Sequence, residues 1–199
     1  MKKIIFISLT VLLLASCGTT VKRVDSGKVQ DLSGYWNARD VKIACDALIN
    51  DCLANQRVDQ IIRASGNKKP VVIVGRFRNE SSEQLDASII SSVMENSIFN
   101  SGKLDFVADN RLREELRAER LDQQSGYVSD ETAAKIGKEI GAGYMMTGAV
   151  RTIVDREGNR TVRTYYVTAE LTNIETNARI WMGQNSEISK VITRPRNSL

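Results

Sequence analysis

The chain has no histidine among its 199 residues. That removes the usual general base and the commonest metal ligand together, and with them every histidine-activated nucleophile. It has two prolines and 6% aromatic residues. The aromatics are not interleaved with basic residues, so no nucleic-acid stacking surface is written into the sequence. No CxxC occurs among the three cysteines, and zinc would want more ligands than these. GxSxG, SxxK and HExxH are missing, as is a DxDxDG calcium loop. Gly137, Gly141 and Gly143 lie in GKEIGAG, which is not GxGxxG and stands at a helix end before a strand. Close packing and a helix cap explain it, not a phosphate cradle. The expectation is a chain without catalytic residues, cofactor or metal. The longest apolar run, Ile4–Ala15, falls short of the roughly 20 residues that span a bilayer. The net charge of +4 counts Lys2 and Lys3 in the leader. Without them the protein is nearer neutral, which is little reason to expect a nucleic-acid partner.

What is present begins with that leader. Met1-Lys2-Lys3 supplies positive charge, Ile4–Ala15 is almost unbroken apolar sequence, and Leu14-Ala15-Ser16-Cys17 follows. This order is that of a secretory signal, residues 1–16, ending in a bacterial lipobox. It predicts cleavage before Cys17 and acylation of that residue on sulfur and on nitrogen. Each buried methylene is worth about 0.8 kcal/mol, and one chain alone anchors marginally, so several are needed. Gly18 in place of aspartate favours the outer membrane, with the domain facing the periplasm. Gly18–Gln30 is polar and without periodicity, and reads with Cys17 as a flexible tether. Its thirteen residues reach at most about 45 Å when fully extended.

Residues 31–199 read as one globular domain. Asn37 or Asp40 is placed to cap a helix. Apolar steps of three and four from Val41 through Ala44, Cys45, Leu48, Ile49, Cys52 and Val58 to Ile62 predict one amphipathic helix to about Arg63. Cys45 and Cys52, seven residues apart, share a face but sit about 10 Å apart along a helix, too far to bridge. They read as small core hydrophobes. Val71–Val74 predicts a strand buried on both faces, carried outward by Gly75–Asn79 to a loop over Glu80–Gln84. A helix from Asp86 presents Ala87, Ile90, Val93, Met94, Ile98 and Phe99 inward and ends at Ser101-Gly102. Leu104–Val107 alternates as a short strand. Asn110–Leu121 is a strongly charged helix, either a solvated face laced with i,i+4 pairs or a docking surface. A fourth helix is expected over Glu131–Ile140.

Tyr144–Val154 predicts a long strand, Glu157-Gly158-Asn159 a hairpin turn, and Thr161–Thr172 a strand of clean alternation. Arg163, Tyr165, Val167, Ala169 and Leu171 share one of its faces. Glu175-Thr176-Asn177 turns into a last strand, Arg179–Lys190, with Ile180, Met182 and Ile188 inward. The fold class is α/β: a small mixed sheet with a C-terminal antiparallel meander, flanked by about four helices. Asp40, Asp46, Asp51, Glu80, Glu83 and Asp86 cluster near two helix starts, where capping and the helix dipole account for carboxylates without catalysis.

Several blocks together carry a resemblance. Asp31-Leu32-Ser33-Gly34-Tyr35-Trp36-Asn37 with Asp40, Ala47–Leu53, Val74–Asp86, Gly137–Gly148 and Tyr166–Thr172 stand in this order behind a lipobox. In that combination the chain resembles the LpoB-like outer-membrane lipoproteins, activators of bifunctional (class A) penicillin-binding proteins. The resemblance covers about Asp31 to Lys190. It implies a fold like the N-terminal domain of TolB. It also implies docking on a peptidoglycan synthase and stimulation of its glycosyltransferase and transpeptidase activities. Candidate partner contacts are Tyr35, Trp36 and Asn37, and Arg78 and Asn79, which are polar or aromatic residues outside regular elements. For Trp36 closure of the core is the competing role, and for Asn79 a turn. The tether departs from the family, whose enteric members carry a long linker. Either the gap to be crossed is narrow, or the partner reaches outward, or the partner differs. The rival reading is a structural or assembly lipoprotein of another envelope complex.

Overall fold

The fold was analysed in a computed structural model, which describes residues 31, 33–107, 110–123 and 141–195. The leader, Cys17, the tether and the helix expected over Glu131–Ile140 lie outside the described residues. The remainder forms four helices, α1 (Ala38–Ala54), α2 (Gln56–Ala64), α3 (Ser88–Ser101) and α4 (Asn110–Asp122). Its six strands are β1 (Val71–Glu80), β2 (Asp105–Phe106), β3 (Tyr144–Glu157), β4 (Arg160–Asn173), β5 (Arg179–Asn185) and β6 (Ser189–Thr193). The sheet order is β2-β1-β3-β4-β5, with β6 also on β4. β1 is parallel to both its neighbours; β3, β4, β5 and β6 pair antiparallel. β5 takes Val167–Thr172 of β4 and β6 takes Arg160–Thr164, so the two share one edge end to end.

The single helix expected over Val41–Arg63 is two. Asn55, in extended conformation, closes α1 and caps α2 by accepting from the Arg57 amide. An asparagine side chain competes for backbone hydrogen bonds, which favours such a break. α1 opens on a full capping box, Asn37 with Asp40. The helix expected from Asp86 begins at Ser88, and Asp86 accepts from the Ser88 amide and hydroxyl. Gly102, at φ 65, ends it.

The helical layer covers one face of the sheet. Ala44, Cys45, Leu48, Ile49 and Cys52 of α1 and Ile90, Met94 and Ile98 of α3 meet Val72, Phe77, Met146, Val150, Tyr165, Val167, Leu171 and Trp181 in one core. Cys45 and Cys52 are buried and free, as their spacing predicted. Burial pushes both thiols up to about 12, with Asp46 and Asp51 adding to the effect, so they stay protonated and unreactive. Among the residues described, no helix is long and apolar enough to cross a membrane.

Three expectations about burial are corrected. Val71–Val74 is not buried on both faces. Val72 is fully covered and Val74 packs half-buried against the core, while Val71 and Ile73 are half-buried on the face that the described helices leave open. Phe99 does not point inward; it is 64% exposed, with its ring edge-on to Phe106. The last strand is two strands; Ile180 packs half-buried against the core as expected, but the alternation beyond it is reversed. Met182 is exposed, and Trp181 enters the core with its indole N–H donating to Asp51 Oδ2 at 2.8 Å. An irregularity between Leu171 and Thr172, opposite Ile180, shifts the alternation. Ile188 is buried as expected.

Candidate functional site

The segment Ser33–Asn37 precedes α1 and lies across the β4–β6 end of the sheet, on the helical side. Two buried cations hold it. Lys190 Nζ, on a side chain only 7% exposed, lies 2.5 Å from Asp40 Oδ2 and 2.7 Å from Asp31 Oδ1, and donates to the Tyr35 carbonyl at 2.7 Å. Arg163 Nη1 donates to the Gly34 carbonyl at 3.0 Å, and its guanidinium lies 4.4 Å from the Tyr35 ring centroid. Arg163 Nε is 2.9 Å from Glu83 Oε1, an ion pair out of line for a hydrogen bond. Glu83 also accepts from the Tyr165 hydroxyl at 2.6 Å and from the Trp36 amide at 3.1 Å. Burial, then Glu83, raises the Tyr165 hydroxyl above the ordinary phenol range. Lys190 holds Asp31 below the usual carboxylate range. Gly34, at φ 70, closes the contact, for a Cβ there would fall 2.3 Å from Ile192 Cγ1.

This strap absorbs three of the five candidate contacts. Tyr35 is half exposed over Arg163, Trp36 packs its ring on Tyr165 at 5.1 Å between centroids, and Asn37 caps α1. Asn79 organises the loop after β1, donating to the Glu83 carbonyl at 2.7 Å and accepting from Ser81. Of the six carboxylates expected at helix starts only two are there; Asp46 and Asp51 lie within α1, and Glu80 and Glu83 pair with arginines. Asp40 and Asp86 serve helix starts, Asp46 pairs with Lys42, and Asp51 takes Trp181. Among the described residues no three metal-ligating side chains converge.

Arg78 is different, because it lies on the other face of the sheet. None of the described helices packs there, and a trough of about 540 Å³ runs from β1 across β3 and β4 to β5. Its floor is Thr147, Ala149 and Thr168, and its rim carries Arg76, Arg78, Arg151 and Arg179 with Glu170 and Met182. Local structure explains the grouping. A bulge between Val74 and Phe77 reverses the alternation of β1, so Phe77 enters the core and both flanking arginines face out. Phe77 lies flat on Gly148, where a Cβ would be 2.3 Å from its ring and 2.2 Å from the Thr168 carbonyl. Glu80 pairs with Arg78 at 3.1 Å and with Arg151 at 2.5 Å, and Arg179 pairs with Glu170 at 2.7 Å. Arg76 makes no ion pair among the described residues. Four guanidinium groups thus meet two carboxylates, which leaves the trough with a net charge of +2.

The sequence reading named Arg78 but not Arg76, Arg151 or Arg179, which line the same trough. The alternation Arg76-Phe77-Arg78 was a local signal, but joining it to Arg151 and Arg179 needs strand order and register.

A profile described as the peptidoglycan-synthase activator LpoB matches residues 40–186. The chain belongs to the LpoB family. That is a family of regulators rather than of catalysts. The fold is similar to that of the LpoB C-terminal domain from Escherichia coli, at 15% identity and a TM-score of 0.44, covering 78% of this chain and 99% of that one. The Salmonella enterica domain gives 16%, 0.40, 78% and 99%. Lipoprotein GNA1162 from Neisseria meningitidis gives 16%, 0.38, 61% and 83%. No curated protein sequence matches significantly.

Proposed function

We propose that this protein is an outer-membrane lipoprotein, anchored through acylated Cys17, that binds a class A penicillin-binding protein from the periplasmic side and stimulates it. The domain makes and breaks no bonds itself. It binds one conformation of the synthase more tightly than another and shifts the population toward it. The observation that carries the reading is the family match over residues 40–186. The lipobox Leu14–Cys17 supports the anchor.

The direct test adds the protein to the class A synthase of the same organism and follows polymerisation of lipid II and cross-linking of the product. Faster turnover with saturable binding is expected. A synthase that neither binds the protein nor changes rate sinks the proposal. For the anchor, Cys17→Ala is expected to abolish acylation, read as loss of the lipid mass from the isolated protein. An unchanged lipid mass would remove Cys17 from that role.

A further inference from the structure

We infer that the face of the sheet opposite the described helical layer is a docking surface for an acidic, partly apolar segment of a partner protein, laid across β1, β3, β4 and β5. The inference rests on the function proposed above for the identity of the partner, the synthase.

Charge comes first. The trough carries four arginines against two carboxylates, and Arg76 is unpaired within it. Guanidinium groups held on strands form bidentate contacts with carboxylates. The spread of the cations comes second. β1 and β5 stand three strand spacings apart, about 14 Å at 4.8 Å each. A single phosphate or carboxylate would meet one end only. An extended or helical segment with several acidic side chains meets both.

The apolar component comes third. Met145 and Met182 are exposed on this face, and Ile153 and Val191 continue it toward the β6 end. Methionine adapts to varied partners. Bare apolar side chains beside arginines are the composition of protein interfaces. The arginine rim closes over Ala149, which is 1% exposed, so a partner is met at the rim. Glu80 and Glu170 stand among those arginines, which a segment of mixed side chains accommodates and a uniformly anionic headgroup surface does not.

The test uses the full chain in nonionic micelles. Its first probe is the random copolymer poly(Glu, Tyr), acidic and apolar in one chain. Binding is expected, with poly-L-lysine inert. Arg76→Glu with Arg179→Glu is expected to weaken binding about a hundredfold, on the basis of roughly tenfold for each charge-assisted contact. Arg57→Glu, an exposed charge on α2 outside the trough, is expected to leave it unchanged. Both arginines of the double variant are at the surface, and an unaltered melting temperature shows that the fold is kept.

The second probe is the synthase, with the same variants read as loss of stimulation. Stimulation that survives the double reversal overturns the docking inference and leaves the proposed function standing. Copolymer binding that follows the arginines beside an unresponsive synthase overturns the function and keeps the acidic-segment chemistry. Binding to micelles doped with phosphatidylglycerol in preference to the copolymer overturns the inference. So does displacement of the copolymer by equimolar inorganic phosphate, or dimerisation through this face in sedimentation.

Discussion

Two groups of ions lie on opposite faces of β4, one under the strap and one around the trough. Both are built from the same side chains. Under the strap Lys190, Arg163, Asp40 and Glu83 are each less than a tenth exposed. Around the trough Arg78, Arg151 and Arg179 are about half exposed or more. Water makes the difference. A buried cation deprived of its partner cannot recover the lost solvation, so the strap is a fixed part of the fold. An exposed pair contributes about 0–1 kcal/mol and exchanges partners freely, so the trough's pairs are available to another carboxylate. Chemistry alone does not separate a structural ion pair from a contact; burial does.

The comparison is broken most directly at Lys190. Lys190→Met leaves Asp40 buried without its cation and is expected to cost about 3–5 kcal/mol in urea unfolding. Lys190→Met with Asp40→Asn should cost less than the sum of the single changes, because neither then leaves a buried charge. Equal and additive losses would show that the pair is solvated after all. Next in size is Asp51→Ala, which strips the indole N–H of Trp181 of its acceptor. About 1–2 kcal/mol is expected, with a blue or red shift in tryptophan emission marking the site. On the trough side, Arg151→Ala should change stability by under about 1 kcal/mol. Raising sodium chloride from 0.1 to 0.5 M should weaken ligand binding at the trough and leave the Lys190 coupling nearly intact.

The pH dependence sharpens the contrast from a third direction. The thiols of Cys45 and Cys52 are raised from 9.0 to about 12 in the fold. Their contribution is fully present below pH 9, where the unfolded chain also keeps them protonated, and is lost as pH rises toward 12. Stability should therefore fall across that window, and less so in Cys45→Ala with Cys52→Ala. The Asp31 carboxyl runs the other way. Its folded value is depressed, so what it contributes is present above pH 3.8 and lost as pH falls through the folded value. Asp31→Asn is expected to have the smallest effect, seen only as a slightly earlier acid transition.

Much of this fold was legible from periodicity. The inward row Arg163, Tyr165, Val167, Ala169 and Leu171 was readable because β4 runs unbroken. Reading failed where one residue interrupts the period. Asn55 splits a helix whose apolar stripe continues on both sides. The irregularity at Ile180 swaps Met182 for Trp181. The site was less legible for a different reason. Trp36 and Asn37 look like contact residues by type, yet their partners, Tyr165 and Asp40, come from packing and capping. Arg76, Arg151 and Arg179 lie far apart in sequence and meet only through register. The family profile bridges that gap for the fold but says nothing of which side chains face out.

The strap has a mechanical corollary. Any pull arriving from upstream of Asp31 is met first by Lys190 and Arg163, and passes into β6 and β4 in the plane of the sheet. The first turn of α1 comes later in that load path, and the arginine rim lies across the sheet from it. Tension on the chain would reach the strands before the helices.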